Sequence, residues 1–130
     1  MEETIFTKII RGDIPSYKIY EDQDVYAFLD IHPLARGHTL VVPKHPAAFV
    51  WDLDDAQYHA LMSAVKRIAA SHKARLESDY VGVKVVGVDV PHAHVHIVPF
   101  NAVDEYDGRV PYTPSDDDLR VVMEQLQITS

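Results

Sequence analysis

The sequence predicts an α+β domain in which an antiparallel sheet of about five strands packs against one long helix. The 130 residues suit a single domain spanning residues 1–130. Short apolar runs separated by turn-forming residues indicate the strands, and one long stretch with apolar residues at helical spacing indicates the helix. Hydrophobic residues make up 47% of the chain, which is enough for a core without a disulfide or a metal.

Three segments carry helix signals. Residues 4–11 place apolar side chains at positions 5, 6, 9 and 10, and Gly12 follows as a stop signal. Residues 54–76 show the strongest helical pattern in the chain. Ser115 precedes three aspartates, which is typical of a capped helix start, and this last helix is expected to run to about Leu126.

Five segments are expected to form strands. They are residues 17–20, 25–29, 38–42, 80–86 and 92–99. The first two flank a polar EDQD turn and therefore read as a hairpin, and Pro43 closes the third. Residues 101–114 contain a glycine and two prolines and are expected to be a loop that could lie over a site.

The composition excludes several classes of function. The chain has no cysteine, which rules out disulfides, thiolate zinc sites and cysteine nucleophiles. Its formal charge of −8 argues against DNA, RNA or an anionic membrane as a partner, because such binding needs a basic face. Neither a signal peptide nor an apolar run of about 20 residues is present, so a cytoplasmic location is expected.

The most informative segment is residues 91–99, with the sequence PHAHVHIVP. Side chains alternate between the faces of a strand, so His92, His94 and His96 are expected to share one face, about 7 Å apart in succession. The intervening Ala93, Val95 and Ile97 would then face the core.

Three interpretations of this histidine row remain open from the residues alone. The row could be a set of partly exposed polar residues on a sheet face. It could bind a metal, with Asp30, Asp89 or His38 completing the ligand set. It could also serve covalent catalysis, in which a neutral imidazole attacks phosphorus while its neighbours hydrogen-bond to the phosphoryl oxygens.

A family resemblance favours the third interpretation. Residues 92–98, HAHVHIV, match the His-x-His-x-His-x-x signature of the histidine-triad (HIT) family, where x is hydrophobic. Residues 4–33 and 37–46 resemble two further blocks of its nucleotide-binding branch, in the same order. The resemblance implies the HIT fold and action at the α-phosphorus of a purine nucleoside 5′-phosphate derivative, such as an AMP or GMP phosphoramidate, without a cofactor.

The resemblance also implies roles for the histidines. His94 would be the nucleophile that forms a nucleotidyl-histidine intermediate, and a backbone carbonyl near His92 would orient its other ring nitrogen. His96 would contact the phosphoryl oxygens. His92 would lie beside His96 in a network with His38.

Substrate-binding residues follow from the same resemblance. Asp30 would accept the ribose hydroxyls, although a turn aspartate before Pro33 explains it equally well from sequence. The base pocket would be lined by apolar residues, namely Ile5, Phe6, Ile9, Phe28, Leu29 and Ile31. Some of these residues are expected to be simple core.

The chain departs from the family pattern at two places. Thr4 and Thr7 stand where many bacterial relatives have two cysteines of a structural zinc site, so no metal site is expected. The segment before the triad is shortened, with Val88 where the family has Gln. Asp89 stands where many relatives have a Ser or Thr that contacts the phosphate or leaving group, and its charge disfavours that contact.

Alternative functions and an oligomeric state remain as expectations. The chain could be a dinucleoside polyphosphate hydrolase, or a weakly active nucleotide-binding or scaffold module. A homodimer is expected to form through the long helix and residues 80–86, an apolar strand with no proline to protect its edge. His45, His59 and His72 are expected to be surface residues.

Overall fold

A computed structural model describes residues 3–130, and it shows the predicted α+β architecture. Five antiparallel strands form one sheet in the order β1-β2-β3-β5-β4. The strands are β1 Lys18–Glu21, β2 Val25–Leu29, β3 Thr39–Pro43, β4 Tyr80–Lys84 and β5 Val95–Phe100. The helices are α1 Ile5–Arg11, α2 Asp55–Leu76, α3 Val103–Tyr106 and α4 Asp116–Leu126, with a 3₁₀ turn at Val50–Asp52.

Local signals fix the ends of the helices. Asp54 and Ser115 cap the first turns of α2 and α4 through side-chain bonds to backbone amides three residues later. Gly12 ends α1 with a φ of 86°, a left-handed conformation that glycine adopts without strain.

The two faces of the sheet are covered by different helices. Alternate residues of the strands pack with α2 and α4 into the larger core, which includes Val41, Ile97, Ile68 and Leu126. On the opposite face a smaller cluster forms around Phe6 and Ile9 of α1 with the remaining strand residues, including Phe28 and Leu40. The smaller cluster matters for function because the histidine triad borders it.

The structure differs from the sequence-based expectations at several boundaries. The last strand begins at Val95 and not at residue 92, and β4 ends at Lys84. Part of the expected loop over residues 101–114 forms the short helix α3. His72 was expected on the surface, but it is fully buried under the sheet, where its Nε2 lies 2.8 Å from Oγ1 of Thr39.

No helix within residues 3–130 has both the length and the apolar character needed to cross a membrane.

Candidate active site

The first two histidines of the triad lie on an irregular segment that leads into β5, and only His96 belongs to the strand. The backbone turns here because the amide of His92 donates to the carbonyl of Val90 at 2.8 Å. The amide of Ala93 donates to Ala47 at 2.7 Å. The expectation of one continuous strand from residue 92 is therefore wrong, because His92 and His94 precede it. His94 and His96 nevertheless line the same cavity, and Ala93, Val95 and Ile97 are buried in the larger core as expected.

His92 serves as a buried support. Its side chain is fully buried, and its Nε2 lies 2.8 Å from the carbonyl oxygen of Pro43. A carbonyl can only accept, so Nε2 of His92 carries the proton. Among residues 3–130 no hydrogen bond joins His92 to His38, because Nε2 of His38 is directed to His96 and Nε2 of His92 to Pro43.

His94 is held with one nitrogen fixed and the other available. Its Nδ1 lies 2.8 Å from the carbonyl oxygen of His92, so Nδ1 is protonated and donates. The Phe6 ring packs edge-on against the His94 imidazole at a centroid distance of 5.1 Å, which restricts the ring orientation. The lone pair of Nε2 is therefore available to a ligand in the cavity that His94 lines.

His38 and His96 form a directed pair. The amide of Leu34 donates to Nδ1 of His38 at 3.0 Å, which places the proton of His38 on Nε2. That Nε2–H lies 3.0 Å from Nδ1 of His96 and donates to it. Consequently His96 carries its own proton on Nε2 and can donate a hydrogen bond from there.

Burial favours the neutral form of His38, His92 and His96. Desolvation lowers the pKa of His38 to about 4, although the nearby carboxylate of Asp30 opposes this effect. Desolvation also lowers the pKa of His96 and of His92. A neutral pair preserves the direction of the hydrogen bond from His38 to His96, since each ring keeps one lone pair.

Asp30 lies at the rim of the same cavity, directly after β2. One carboxylate oxygen accepts the amide of His32 at 2.8 Å, and the other lies 3.7 Å from Nε2 of His38. The side chain is 21% exposed, so it can still accept hydrogen bonds from a ligand.

Asp30, His38 and His96 could in principle hold a metal, because one ligand atom from each lies within 4.8 Å of the others. A metal on Nε2 of His38 would require the proton to move to Nδ1. Nδ1–H and the Leu34 amide would then be two donors facing each other, and a buried donor would lose its partner. The hydrogen bonds in this cluster therefore suit a proton-ordered pair and do not suit a metal centre.

The cavity beside His94 and His96 has a volume of about 360 Å³. It is lined by all six residues expected for the base pocket, which are Ile5, Phe6, Ile9, Phe28, Leu29 and Ile31. Asp30 and Asp89 also line it, whereas His92 and His38 lie behind the lining.

Six lining residues were not anticipated from the sequence. They are Ile14, Pro15, Ser16, His32, Leu40 and Val90. Leu40 could have been found, because it is two residues from His38 and pairs with His96 across β3 and β5. The others lie in loops, where no periodicity predicts which side chains face a cavity.

Comparison with known proteins assigns this arrangement to a family. The model of a family described as the HIT domain matches residues 11–103. This chain belongs to the HIT family.

Two curated relatives and one solved structure are similar over most of this HIT chain. Adenosine 5′-monophosphoramidase HNT1 of Saccharomyces cerevisiae is 38% identical over 114 residues, covering 85% of this chain and 70% of the yeast protein. The corresponding hnt1 protein of Schizosaccharomyces pombe is 33% identical over 129 residues, 94% of each chain. The crystal structure of a Hit-like protein from Bartonella henselae has a TM-score of 0.84 and 32% identity, covering 96% of this chain and 95% of that one.

This HIT-family member uses Thr4 and Thr7 to begin a helix. The amide of Thr4 donates to Oγ1 of Thr7 at 2.8 Å, and the amide of Thr7 donates to Oγ1 of Thr4 at 3.3 Å. The two positions that the resemblance assigns to zinc-binding cysteines in other members thus form a reciprocal cap here. This cap anchors α1, which carries Phe6 onto the His94 ring.

Proposed function

We propose that this HIT-family hydrolase acts at the α-phosphorus of purine nucleoside 5′-phosphate derivatives, with phosphoramidates as the first substrate class. The observation that carries the proposal is the pattern of fixed protons. His94 offers a lone pair from Nε2, and His96 offers an N–H from Nε2, on the same cavity. The two yeast relatives named as adenosine 5′-monophosphoramidases support the same chemistry.

In the first step Nε2 of His94 attacks the α-phosphorus. A bond forms between that nitrogen and phosphorus, and the bond from phosphorus to the leaving amine breaks. The amine takes its protons from solvent as it leaves. The imidazole becomes a cation, and the carbonyl of His92 stabilises it by accepting a charge-assisted hydrogen bond from Nδ1–H.

In the second step water attacks the nucleotidyl-imidazole. A bond forms between the water oxygen and phosphorus as the nitrogen–phosphorus bond breaks, and the nucleoside monophosphate leaves. The attacking water releases to solvent the same number of protons that the amine took up in the first step. His94 is regenerated as the neutral ring, with its proton again on Nδ1. The net reaction is hydrolysis, and two modest barriers replace one difficult displacement.

His96 assists both steps as a hydrogen-bond donor. Negative charge on the phosphoryl oxygens grows as the nucleophile approaches, and Nε2–H of His96 is the donor aimed into the cavity. His38 enforces this role, because its own N–H occupies Nδ1 of His96 and leaves the proton of His96 on the other nitrogen.

The cavity supplies binding for the nucleoside. Its apolar walls suit the faces of a purine, and the carboxylate of Asp30 at the rim suits the two ribose hydroxyls. These side chains are placed by α1 and by the end of β2, elements held in the sheet framework. The side chains that would bind the nucleoside are therefore different from the histidines that would react at phosphorus, although both line one cavity.

Incubation of the purified protein with adenosine 5′-phosphoramidate, in buffer containing EDTA, tests this proposal. We expect AMP and free amine in equal amounts, with a rate that chelation and dialysis leave unchanged. No AMP release would overturn the proposal in favour of a nucleotide-binding module. Loss of activity in EDTA with recovery on addition of zinc or manganese would favour a metal site instead.

A further inference from the structure

Asp89 is an acid that the proposed chemistry leaves without a role. It precedes the triad on the irregular segment after β4, is exposed, and lines the cavity together with Val90, His94 and His96. Within residues 3–130 its carboxylate makes no hydrogen bond and no ion pair. The carboxylate is one of the groups that raise the pKa of His96 against the larger, opposite effect of burial, which is consistent with its place at the histidine end of the cavity.

No lysine or arginine of the described chain lines this cavity. Lys84 is the basic residue on the strand next to His96, and its ammonium lies 4.9 Å from the centroid of the Tyr106 ring. Lys44 is paired with Glu21 at 2.8 Å, and Arg11 is paired with Asp13 at 2.6 Å. Among the described residues, the cavity lining therefore presents two carboxylates, Asp30 and Asp89, and no cationic side chain, while the charge of Lys84 acts on His96 and His38 from the neighbouring strand and lowers the pKa of each.

This charge distribution discriminates between leaving groups. A substrate with additional phosphates beyond the α-phosphate would place further negative charge beside Asp89 in a cavity whose described lining has no cationic side chain. A leaving group that ends in an ammonium would instead be attracted by the exposed carboxylate at the histidine end. Asp30 is proposed to hold the ribose, which leaves Asp89 as the carboxylate available to the leaving group.

We propose that Asp89 selects substrates by the charge of the leaving group, so that phosphoramidates of amines with a second, cationic group are preferred over neutral and anionic ones. This proposal rests on the phosphoramidase activity proposed above. The bond-making and bond-breaking steps are those already given, and the cationic group of the leaving amine takes no part in them. Asp89 is here a specificity-determining residue and does not touch the reacting atoms.

Three adenosine 5′-phosphoramidates of matched length test the proposal. Their leaving amines carry 5-aminopentyl, hexyl and 5-carboxypentyl chains, which end in a cation, a methyl group and an anion. We expect kcat/KM of the wild-type protein to fall in that order, with about a two- to fivefold preference for the cationic over the neutral chain, the range of a solvent-exposed charge pair. The preference should decrease as the ionic strength rises.

Two variants assign the preference to one side chain. In Asp89→Asn the ratio of kcat/KM for the cationic and neutral substrates should fall to about one. Glu124→Gln removes the same charge from an exposed position on α4, which packs against α2 on the other face of the sheet, and should keep the wild-type ratio. The ratio cancels any general loss of activity in either variant.

The outcomes distinguish this proposal from the phosphoramidase activity on which it rests. Cleavage of all three substrates with the same ratio in wild-type protein and Asp89→Asn would overturn the selection by Asp89 and leave the phosphoramidase function intact. Failure of the wild-type protein to cleave any of the three would overturn both. Dissociation constants of the intact substrates for His94→Ala should show the same charge order, which gives a readout that does not depend on turnover.

Discussion

Nε2 of His38 lies 3.0 Å from Nδ1 of His96, and the Leu34 amide on the far side of the His38 ring determines which of the two atoms carries the proton. A single backbone N–H thereby sets the tautomer of two imidazoles in succession. The result is that His96 faces the cavity as a donor, while His94, fixed by the carbonyl of His92, faces it as an acceptor. This difference between neighbouring histidines is the basis of the proposed mechanism.

Replacement of His38 by asparagine should lower kcat while changing KM little. The variant loses the N–H that fixes the tautomer of His96. Loss of a hydrogen-bonding group that orients a functional side chain typically lowers activity by about 10- to 100-fold. We expect a decrease of about that size in steady-state kinetics with a phosphoramidate. His45→Asn, at an exposed position in the loop after β3, is the matched control and should have wild-type kinetics. Equal rates for the two variants would contradict the role of His38.

Asp30→Asn should weaken AMP binding by about 1–3 kcal/mol, the range for a lost hydrogen bond to a charged group. Asparagine keeps an oxygen that can accept the amide of His32, so the turn after β2 should be preserved. Isothermal titration calorimetry with AMP and with its 2′,3′-dideoxy analogue measures the effect. The analogue should bind wild-type protein weakly and lose little more in the variant. An unchanged affinity for AMP would contradict ribose binding by Asp30 and would leave it only the role of stabilising the turn after β2.

The stability of the fold should decrease below about pH 6.5 because of His72. Burial lowers its pKa to about 4, so the unfolded chain binds the proton more readily than the folded protein between these two values. The contribution is fully present above pH 6.5 and is lost as the pH falls, by roughly 2 kcal/mol at pH 5. Urea unfolding at pH 7.5 and 5.0 measures it.

His72→Gln is the variant that isolates this contribution. Glutamine can still donate to Oγ1 of Thr39, but it does not titrate. The difference in unfolding free energy between the two pH values should therefore be smaller in this variant than in the wild-type protein. The same pH dependence in both proteins would show that other groups cause it, with His38 as the first candidate.

We also propose a homodimer, and light scattering at micromolar concentration tests it. Strand β4 is at the edge of the sheet and exposes Tyr80 and Val83, while Tyr58 is exposed on α2. A second copy that pairs through β4 and α2 would cover both the open strand edge and these side chains. A mass near twice the 14.7 kDa of one chain supports the dimer, whereas 14.7 kDa contradicts it.

The sequence was sufficient to predict the sheet, the long helix and most of the cavity lining. Period-2 and period-3.6 patterns predicted the strands and the long helix, whereas the residues of the cavity lining were expected from the family resemblance. His72 could also have been predicted as buried, because it continues the helical spacing of Leu61, Val65 and Ile68. Only the polarity of its side chain suggested a surface position.

The proton-ordered pair could not be predicted from the sequence. His38 and His96 are 58 residues apart, and the Leu34 amide that orders them is a backbone group with no residue-type signal. The alternation of His92, His94 and His96 predicted that His94 and His96 face the same cavity, but it did not predict where the strand begins. The strand begins only at Val95, and His92, whose Nε2 donates to the carbonyl of Pro43, is not among the residues that line the cavity.

The most direct test of the account is the identity of the residue that carries the nucleotide during turnover. Wild-type protein mixed with an adenosine phosphoramidate, quenched at alkaline pH and digested, should show one adenylyl group on the peptide that contains residues 92–96, with fragmentation placing it on His94. His94→Asn should show no adduct and turnover reduced by more than about 1000-fold, while still binding AMP. An adenylyl group on another residue, or substantial turnover in His94→Asn, would contradict the account.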